Sequence, residues 1–589
     1  MTAEDDPLEQ LADDLAALDF VGGADADARF RGLQGRARRL LAAKLRLEAV
    51  RGPDDPPLVV IAGGTNVGKS TIFNWVVGEA VASSSPLARH TKAPTVYVHE
   101  RELRSLHGGA FLPGYERLAL TAREDPARER AQGRGAEAYF LLTHARDELA
   151  GVVLVDSPDI DSTHARNREV AEDLLFLADA VLFVATPEKY NDALCVDYMR
   201  QAVRLAKGLL CVLNKGADPE VARDLREGIL PELAPEAPRG GEPPGLLELP
   251  YTPRPDPATQ AAFRGELAEA VLRPRQGGAA LRARAEAGAR AELARALEQL
   301  IARQREELSE LYQVRSEVAL VLFAARDEYE RFLSGVEFFE LDLVYERVLQ
   351  EFRIPVLDHV YDGLRSGIGW ISGNIGRLVS GRAPEDSRHQ KLDQRAERDR
   401  LKIKELLGTA RLAVSELPER HTQVLREAAT EWVEGLGAPE PAQLNAQIED
   451  FHERAHAASE RWIEEQTRMH VELIEQHPRL KVALRTVKGV LQVGFGLLSA
   501  KLTGGFGPWD VLIGTAAQAA VKPIIEAAGG HVQYQKLKAD FLRERGALFG
   551  ALLEESVGRP LAERLPQGVE PARLERLEEA LEGLRERKA

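Results

Sequence analysis

Two hydrophobic patterns divide this chain near residue 275. Before that point, short apolar runs such as 58–62, 151–155, 180–185 and 209–213 alternate with amphipathic segments. Runs of this length, bounded by turn residues, predict strands that are buried on both faces. Their alternation with helical segments predicts a mostly parallel sheet with helices on both faces. The pattern therefore predicts an α/β domain over residues 52–275.

Beyond residue 276, strand signals nearly vanish. Apolar residues recur every three or four positions in charged segments at about 280–365, 391–435, 441–487 and 531–589. Stripes of this kind predict amphipathic helices that pack side by side. We therefore predict a large all-α helical bundle or stalk over residues 276–589, with the stripes forming its core rather than a cofactor site.

The first 51 residues contain two segments of opposite charge. Residues 1–27 are acidic and rich in Ala and Gly, which predicts a flexible lead. Residues 28–51 combine Arg and Lys with Leu and Phe, which predicts a basic helix that docks on the helical domain. The acidic start lacks the cationic residues and the apolar run of a signal peptide, so secretion is not expected.

Composition narrows the class of protein. A chain of 589 residues exceeds one hydrophobic core, which predicts several domains. The formal net charge of -16 argues against a protein that coats nucleic acid, so no nucleic-acid partner is favoured. Only Cys195 and Cys211 are present, which argues against a disulfide framework or a zinc site and fits a reducing cytoplasm.

The candidate chemistry begins where the first apolar run ends. Gly63 and Gly68 bracket four residues, Lys69 and Ser70 follow, and a helical segment comes next. In a loop of this kind backbone N–H groups hold phosphates, the lysine reaches the β- and γ-phosphates, and the hydroxyl binds Mg²⁺. The predicted nucleotide-binding loop consists of Gly63, Gly64, Thr65, Asn66, Val67, Gly68, Lys69, Ser70 and Thr71.

Candidate magnesium ligands come from this loop and from two later features. Asp156 ends the strand 151–155, where a carboxylate can hold the metal shell, usually through water. A polar loop after the helix contains Thr91, whose hydroxyl and carbonyl can reach magnesium and the γ-phosphate, with Thr95 as the second choice. The predicted metal ligands are therefore Ser70, Thr91 and Asp156.

A candidate base site follows the strand 209–213. Asn214 and Lys215 come directly after it, and Asp218 lies three positions further on. A carboxylate beyond a strand end can accept two hydrogen bonds from guanine, while the lysine stem lies over the loop and the base. These three residues, with Asp159 in the loop after the aspartate-ending strand, complete the predicted nucleotide-binding set.

These motifs resemble those of Era-like and dynamin-like P-loop GTPases of the translation-factor class, over about residues 57–255. The residues that carry the resemblance are 66–71, Phe73 with Asn74, the switch threonine, 156–158, and Asn214 with Lys215. It implies GTP or GDP as ligand, Mg²⁺ as cofactor and GTP hydrolysis, with Lys69, Asn66 and Thr91 as catalytic residues. It also implies that Asn66 helps to coordinate K⁺ at the phosphates, as in potassium-activated members.

The second switch departs from the family. Asp159 stands where the family has a glycine that meets the γ-phosphate. Two unit charges 4 Å apart repel by roughly 4 kcal/mol at an effective dielectric near 20, so Asp159 is expected to point away or the switch to be rebuilt. Ile160 follows, where Ras-like enzymes carry a glutamine that orients water, so slow intrinsic turnover is expected.

The predicted base-binding motif differs from that of the family in its spacing. Gly216 and Ala217 separate Lys215 from Asp218, where the family has one residue. Guanine specificity therefore requires a bulged turn, which Gly216 could allow. The polar loop 186–192 serves either dimerisation across the nucleotide face or no more than solvation, and Asp161 is read in the same way.

Two stretches of the helical half differ from the charged helices around them. Residues 363–383 and 489–530 combine apolar residues and Trp with basic flanks. This pattern fits contact with an anionic membrane surface, and it fits equally a buried hairpin of small residues. Charged residues interrupt both stretches, so neither predicts a helix that spans a membrane.

The function predicted from the sequence is a GTP-binding and GTP-hydrolysing switch or mechanoenzyme, dynamin-like by resemblance. Its partners are expected to be GTP, a second copy in a homodimer or higher assembly, and an anionic membrane surface. One alternative is a soluble Era-like GTPase that acts on a ribosome, RNA or protein complex; another is a nucleotide-regulated scaffold with negligible turnover. The expected location is the cytoplasm, peripheral at the inner face of the membrane.

Overall fold

The structure is a computed structural model. It describes residues 7–21, 24–79, 81, 93–120, 138–162, 164–216, 218–237, 243–249, 257–273, 277–336, 338–352, 384–420, 430, 433–434, 441–486, 531–565 and 568–586. Thr91 and the two membrane candidates, 363–383 and 489–530, lie outside these ranges.

The chain forms two compact units. The first comprises Met1–Phe20, Ala24–Leu308 and Gln567–Ala589, and the second comprises Val21–Gly23 and Ser309–Pro566. The main division falls inside one long helix, so the boundary predicted at residues 275 and 276 is displaced. The physical reason is that the early part of this helix places an apolar stripe in the core of the α/β domain. This stripe contains Leu293, Leu297 and Leu300.

The first unit contains an eight-stranded sheet of order β3-β4-β2-β5-β1-β6-β7-β8. Its strands are β1 Leu58–Gly63, β2 Thr95–His99, β3 Glu116–Leu120, β4 Ala138–His144, β5 Val153–Asp156, β6 Ala180–Ala185, β7 Gly208–Leu213 and β8 Gly245–Glu248. Neighbouring strands are parallel except for β2 and β5, which are antiparallel. The predicted mostly parallel sheet is confirmed.

Helices cover both faces of the sheet. Those of the first unit are α1 Pro7–Ala16, α2 Ala24–Leu40, α3 Arg46–Val50, α4 Lys69–Val77, α5 Ala165–Leu177, α6 Ala193–Arg204, α7 Pro219–Arg223, α8 Leu230–Leu233, α9 Pro257–Leu272, the start of α10 Gly278–Ser334, and α17 Pro571–Glu586. Strand pleating sends Leu58 and Val60 into one core and Val59 and Ile61 into the other. Both faces of β1 are therefore buried, as its continuous apolar run predicts.

The N-terminal segment is more ordered than its composition predicts. Residues 7–16 form α1, in which Leu11 and Leu15 are buried, so this part of the predicted flexible lead is wrong. The Asp14 carboxylate accepts hydrogen bonds from the Arg576 guanidinium of α17 at 2.5 and 2.9 Å. Leucines spaced four positions apart give α1 the apolar face that holds it in place.

The basic helix docks on the α/β domain as well as on the predicted helical half. It runs through α2, a short π-helical turn at Leu41–Leu45 and α3. Its cations meet buried acids of the α/β domain: Arg39 lies 3.4 Å from Asp173 of α5, and Lys44 lies 2.5 Å from Asp179. Charge pairing with these acids holds the helix on the α/β domain. The helix also meets the predicted helical half at the start of α10, where the Arg303 guanidinium lies over the Phe30 ring at 5.3 Å from its centroid.

The described part of the second unit is helical. Besides the end of α10, its helices are α11 Phe339–Glu351, α12 Pro384–Ser415, α13 Leu417–Arg420, α14 Pro441–Gln476, α15 His531–Leu553 and α16 Arg559–Ala562. Rings from α10, α14 and α15 form its centre, where the centroids of Tyr329 and Phe549 lie 4.4 Å apart and Phe451 is buried beside them. None of the described helices has both the length and the apolar character that a membrane crossing requires.

Candidate nucleotide site

The predicted site residues gather at one edge of the sheet. Strands β1, β5, β6 and β7 run parallel, so their carboxyl ends meet at this edge. The loop 64–68 leaves β1 here, Asp156 ends β5, and Asn214 follows β7. A crevice beyond the carboxyl ends of such strands is where α/β sheets bind ligands.

Glycine is required at two positions of the loop. Gly63 has a φ of +152°, and a Cβ there would lie 2.3 Å from the carbonyl oxygen of Val184. Gly68 has a φ of +99°, and a Cβ there would lie 2.5 Å from the Asn214 Nδ2 atom. Any larger residue at either position must displace backbone or an amide that contacts the loop.

Lys69 opens α4 and is 5% exposed. Its Nζ atom donates hydrogen bonds to the Gly64 carbonyl at 2.8 Å and to the Asp159 Oδ1 atom at 2.5 Å. The expectation that Asp159 points away from the phosphate region is therefore not met. The carboxylate instead lies against the cation that the loop offers to phosphates.

Two of the three predicted metal ligands are in contact. The Ser70 hydroxyl donates to the Asp156 Oδ2 atom at 2.9 Å, and the Asp156 side chain is fully buried. A hydroxyl and a carboxylate are hard oxygen donors of the kind that Mg²⁺ prefers, so these residues fit that ion. Thr91 lies outside the described residues. Thr95, the second choice, is a buried residue of β2 that pairs with Asp156 in the sheet.

The residues after β7 reach across to the loop. The Asn214 Nδ2 atom donates to the Val67 carbonyl at 2.8 Å, and the Lys215 Nζ atom donates to the Asn66 carbonyl at 2.5 Å. Lys215 itself has a φ of +62°. The lysine stem thus lies over the loop, and both side chains help to fix its shape.

The third residue of the base motif has a structural partner. The Asp218 Oδ1 atom accepts a hydrogen bond from the Glu220 backbone N–H at 3.0 Å and caps α7. Gly216 adopts a φ of +130°, a conformation that favours glycine, between Lys215 and Asp218. Base reading by Asp218 remains a prediction, because the described contact is the helix cap.

Comparison with known proteins agrees with this geometry. The family described as 50S ribosome-binding GTPase matches residues 58–215. This stretch is a P-loop GTPase domain. The match spans the loop, Asp156 and the Asn214-Lys215 pair, and it ends before Asp218.

Two curated relatives share this GTPase domain. Over 185 residues the chain is 25% identical to "Probable transmembrane GTPase FZO-like, chloroplastic" of Arabidopsis thaliana, covering 31% of this chain and 18% of that protein. Over 165 residues it is 29% identical to "tRNA modification GTPase MnmE" of Rhodopseudomonas palustris (strain HaA2), covering 26% of this chain and 34% of that protein. The chain therefore spans about a third or less of the length of these relatives.

Solved structures give a weaker likeness. Two structures described as an oligomerised bacterial dynamin pair that senses and tethers membranes align over 100% of this chain and 96% of theirs. Their identities are 11% and 12%, with TM-scores of 0.39 and 0.41.

Asp161 makes further contacts in the GTPase domain that the sequence did not predict. The Asp161 Oδ1 atom accepts hydrogen bonds from the Thr65 backbone N–H at 2.7 Å and from its hydroxyl at 2.6 Å, and Asp161 also pairs with Lys189. Burial alone would raise the pKa of Asp161, but hydrogen bonds from Lys189 and Thr65 outweigh it and lower that pKa. Asp161 and Lys189 are therefore part of the loop's surroundings, and the solvated reading is corrected.

Proposed function

We propose that this chain binds GTP and GDP with Mg²⁺, hydrolyses GTP, and uses its helical unit to convert the nucleotide state into assembly or membrane attachment. The observation that carries the proposal is the contact set of the loop: a buried Lys69 at the start of α4, with Ser70 against Asp156. The match of residues 58–215 to a GTPase family supports the same ligand.

In this proposal, different residues of the chain bind the phosphates and the Mg²⁺ ion. Loop backbone N–H groups and Lys69 hold the phosphates, while Ser70 and Asp156 hold Mg²⁺. Mg²⁺, when bound, would neutralise charge that develops between the β- and γ-phosphates. Ile160 is 6% exposed and aliphatic, so it cannot orient an attacking water, and we expect slow turnover by the isolated protein.

Help with hydrolysis has to come from another group. Asn66 has a φ of +63° and an exposed side chain at the mouth of the loop, which suits the proposed role as a K⁺ ligand. A scaffold with negligible turnover is the second candidate, and it is favoured by the contact between Asp159 and Lys69. Potassium-stimulated turnover would decide against the scaffold.

The two relatives are described by different biology, one as a transmembrane GTPase and one as a tRNA modification GTPase. Membrane attachment therefore rests on the sequences of 363–383 and 489–530, whose basic flanks complement an anionic surface. The net charge of -16 speaks against the RNA-directed alternative.

The test is GTP turnover of the full chain in sodium or potassium, with and without anionic liposomes, alongside liposome co-sedimentation. We expect liposomes to stimulate turnover and to sediment the protein. Replacing Trp370 and Trp509 by Glu should abolish sedimentation, while the control Tyr312→Glu, at an exposed position of α10, should sediment normally. Potassium-dependent turnover without lipid binding would favour the soluble switch, and absence of turnover in every condition would contradict the enzyme.

A further inference from the structure

One short segment after β5 directs two carboxylates at the phosphate loop. Asp159 contacts the Lys69 ammonium at 2.5 Å, and Asp161 contacts the Thr65 N–H and hydroxyl at 2.7 and 2.6 Å. Both contacted groups belong to the loop that is proposed to hold phosphates. The segment therefore presents negative charge where a nucleotide would present its own.

The segment is held against the loop by backbone contacts as well. The Ile160 N–H donates to the Gly63 carbonyl at 3.3 Å, and the preceding Ser157 N–H donates to the Ile61 carbonyl at 3.1 Å. The buried Ile160 side chain anchors the point between the two acids. Asp159 and Asp161 side chains are only 15% and 12% exposed, so water screens their charges weakly.

The β- and γ-phosphates depend on Lys69 to different degrees. Lys69 reaches both the β- and the γ-phosphate, but loop backbone N–H groups also cradle the α- and β-phosphates, whereas the γ-phosphate relies on the lysine and the metal. A carboxylate on Lys69 therefore repels an incoming γ-phosphate more than it affects a diphosphate. A diphosphate can share the Lys69 ammonium with Asp159, whereas a triphosphate competes with Asp159 for it.

A second cation steadies the segment. Lys189, from the loop after β6, pairs with the Asp161 oxygen that does not face Thr65. This pairing offsets the charge of Asp161 and ties the segment to a second strand end. Lys189 therefore contacts the segment through Asp161.

Resting on the proposed function, we propose that Asp159 sets the choice between nucleoside diphosphate and triphosphate, with Lys189 as its positioning residue. While Asp159 contacts Lys69, the chain prefers GDP. Displacement of the 159–161 segment is then the step that admits GTP.

The test measures binding of GDP and of a non-hydrolysable GTP analogue to the full chain in Mg²⁺ by titration calorimetry. Asp159→Asn, which keeps the shape and removes the charge, should bind the analogue about tenfold or more tightly and GDP within about threefold of the unaltered chain. The control Glu169→Gln, at an exposed position of α5, should change neither affinity. Equal affinities of the Asn variant and the unaltered chain for the analogue would overturn the inference.

The variant Lys189→Met tests separately whether Lys189 acts through Asp159. Because losing the Lys189 cation leaves Asp161 uncompensated and weakens the binding of both nucleotides, the quantity compared is the ratio of analogue affinity to GDP affinity. Lys189→Met should raise this ratio by less than Asp159→Asn does, and should leave the ratio unchanged when Asp159 is already Asn. An effect of the same size in both backgrounds would mean that Lys189 does not act through Asp159. Failure of the unaltered chain to bind GDP at all would contradict the proposed function itself, whereas GDP binding with an unchanged preference would contradict only this inference.

Discussion

The buried ion pair between the basic helix and the GTPase domain gives a quantitative prediction of stability. Lys44 and Asp179 are both fully buried, and the Lys44 Nζ atom donates to the Asp179 Oδ1 atom at 2.5 Å. The other carboxylate oxygen accepts from Arg51 at 3.2 Å and from the Leu58 backbone N–H at 2.8 Å. Asp179 therefore links the basic helix to the first residue of β1.

The contribution of Asp179 to the folding free energy follows from the shift of its pKa. Burial alone would raise the pKa of Asp179, but Lys44 and Arg51 outweigh it and lower the pKa from 3.8 to about 2. At about 1.4 kcal/mol per pH unit, this corresponds to about 2–3 kcal/mol of folding free energy. Because the pKa is lowered on folding, this stabilisation is fully present above about pH 4 and is lost as the pH falls through about 2.

We predict that Lys44→Met destabilises the first unit by about 3 kcal/mol at neutral pH. Removing one partner of a buried pair typically costs about 3–5 kcal/mol, and the lower end applies here because Arg51 and the Leu58 N–H still face the carboxylate. The double variant with Asp179→Asn should lose less than Lys44→Met alone, because it removes the uncompensated charge.

The assay is native-state hydrogen exchange of the full chain, read on peptides from β1, because a chain of two units has no single unfolding free energy. Arg226→Met, which breaks the more exposed pair with Glu248, is the control and should change protection by about 0.5 kcal/mol or less. The reasoning would be refuted if Lys44→Met lowered the opening free energy of β1 by less than about 1 kcal/mol. It would also be refuted if the double variant lowered that free energy by more than Lys44→Met does.

Two further variants test the site. Gly63→Ala should abolish nucleotide binding and lower the melting temperature, because its Cβ would lie 2.3 Å from the Val184 carbonyl oxygen; calorimetric titration and thermal unfolding check this. Asp218→Asn should keep the helix cap, since Asn caps as well as Asp, while reducing the preference for GDP over ADP by about tenfold or more. Competition between the two nucleotides for the full chain measures that preference.

Each variant has its own control. Gly35→Ala, where an added Cβ meets nothing within 4 Å, should bind nucleotide normally, and binding by Gly63→Ala as well would contradict the steric argument. For Asp218→Asn, unchanged melting with unchanged preference would mean that the residue is a helix cap and does not read the base.

The parts of the fold that could be predicted from sequence depend on local patterns. The buried strand β1 and the loop from Gly63 to Ser70 are contiguous, so their spacing alone predicted their geometry. Strand β3 was missed because Leu118 is its only buried residue, which leaves almost no apolar run to detect. Helix α1 was missed because acidic and alanine-rich composition outweighed its leucine spacing.

The features that could not be predicted depend on contacts between residues that are distant in sequence. Asp161 and Lys189 lie 28 positions apart and meet only because β5 and β6 end at the same edge of the sheet. Charge repulsion alone predicted that Asp159 points away, but the nearby Lys69 cation reverses that expectation. The division inside α10 could not be read from helical periodicity, since one continuous stripe serves two cores.

The central claim is that Lys69 and its loop form a guanine nucleotide site. Calorimetric titration of the full chain with GDP in Mg²⁺ tests it most directly, comparing the unaltered chain with Lys69→Ala and with Lys402→Ala, a lysine of α12 in the second unit. We expect saturable binding by the unaltered chain and by Lys402→Ala, and none by Lys69→Ala. Equal binding by all three proteins, or by none, would contradict it.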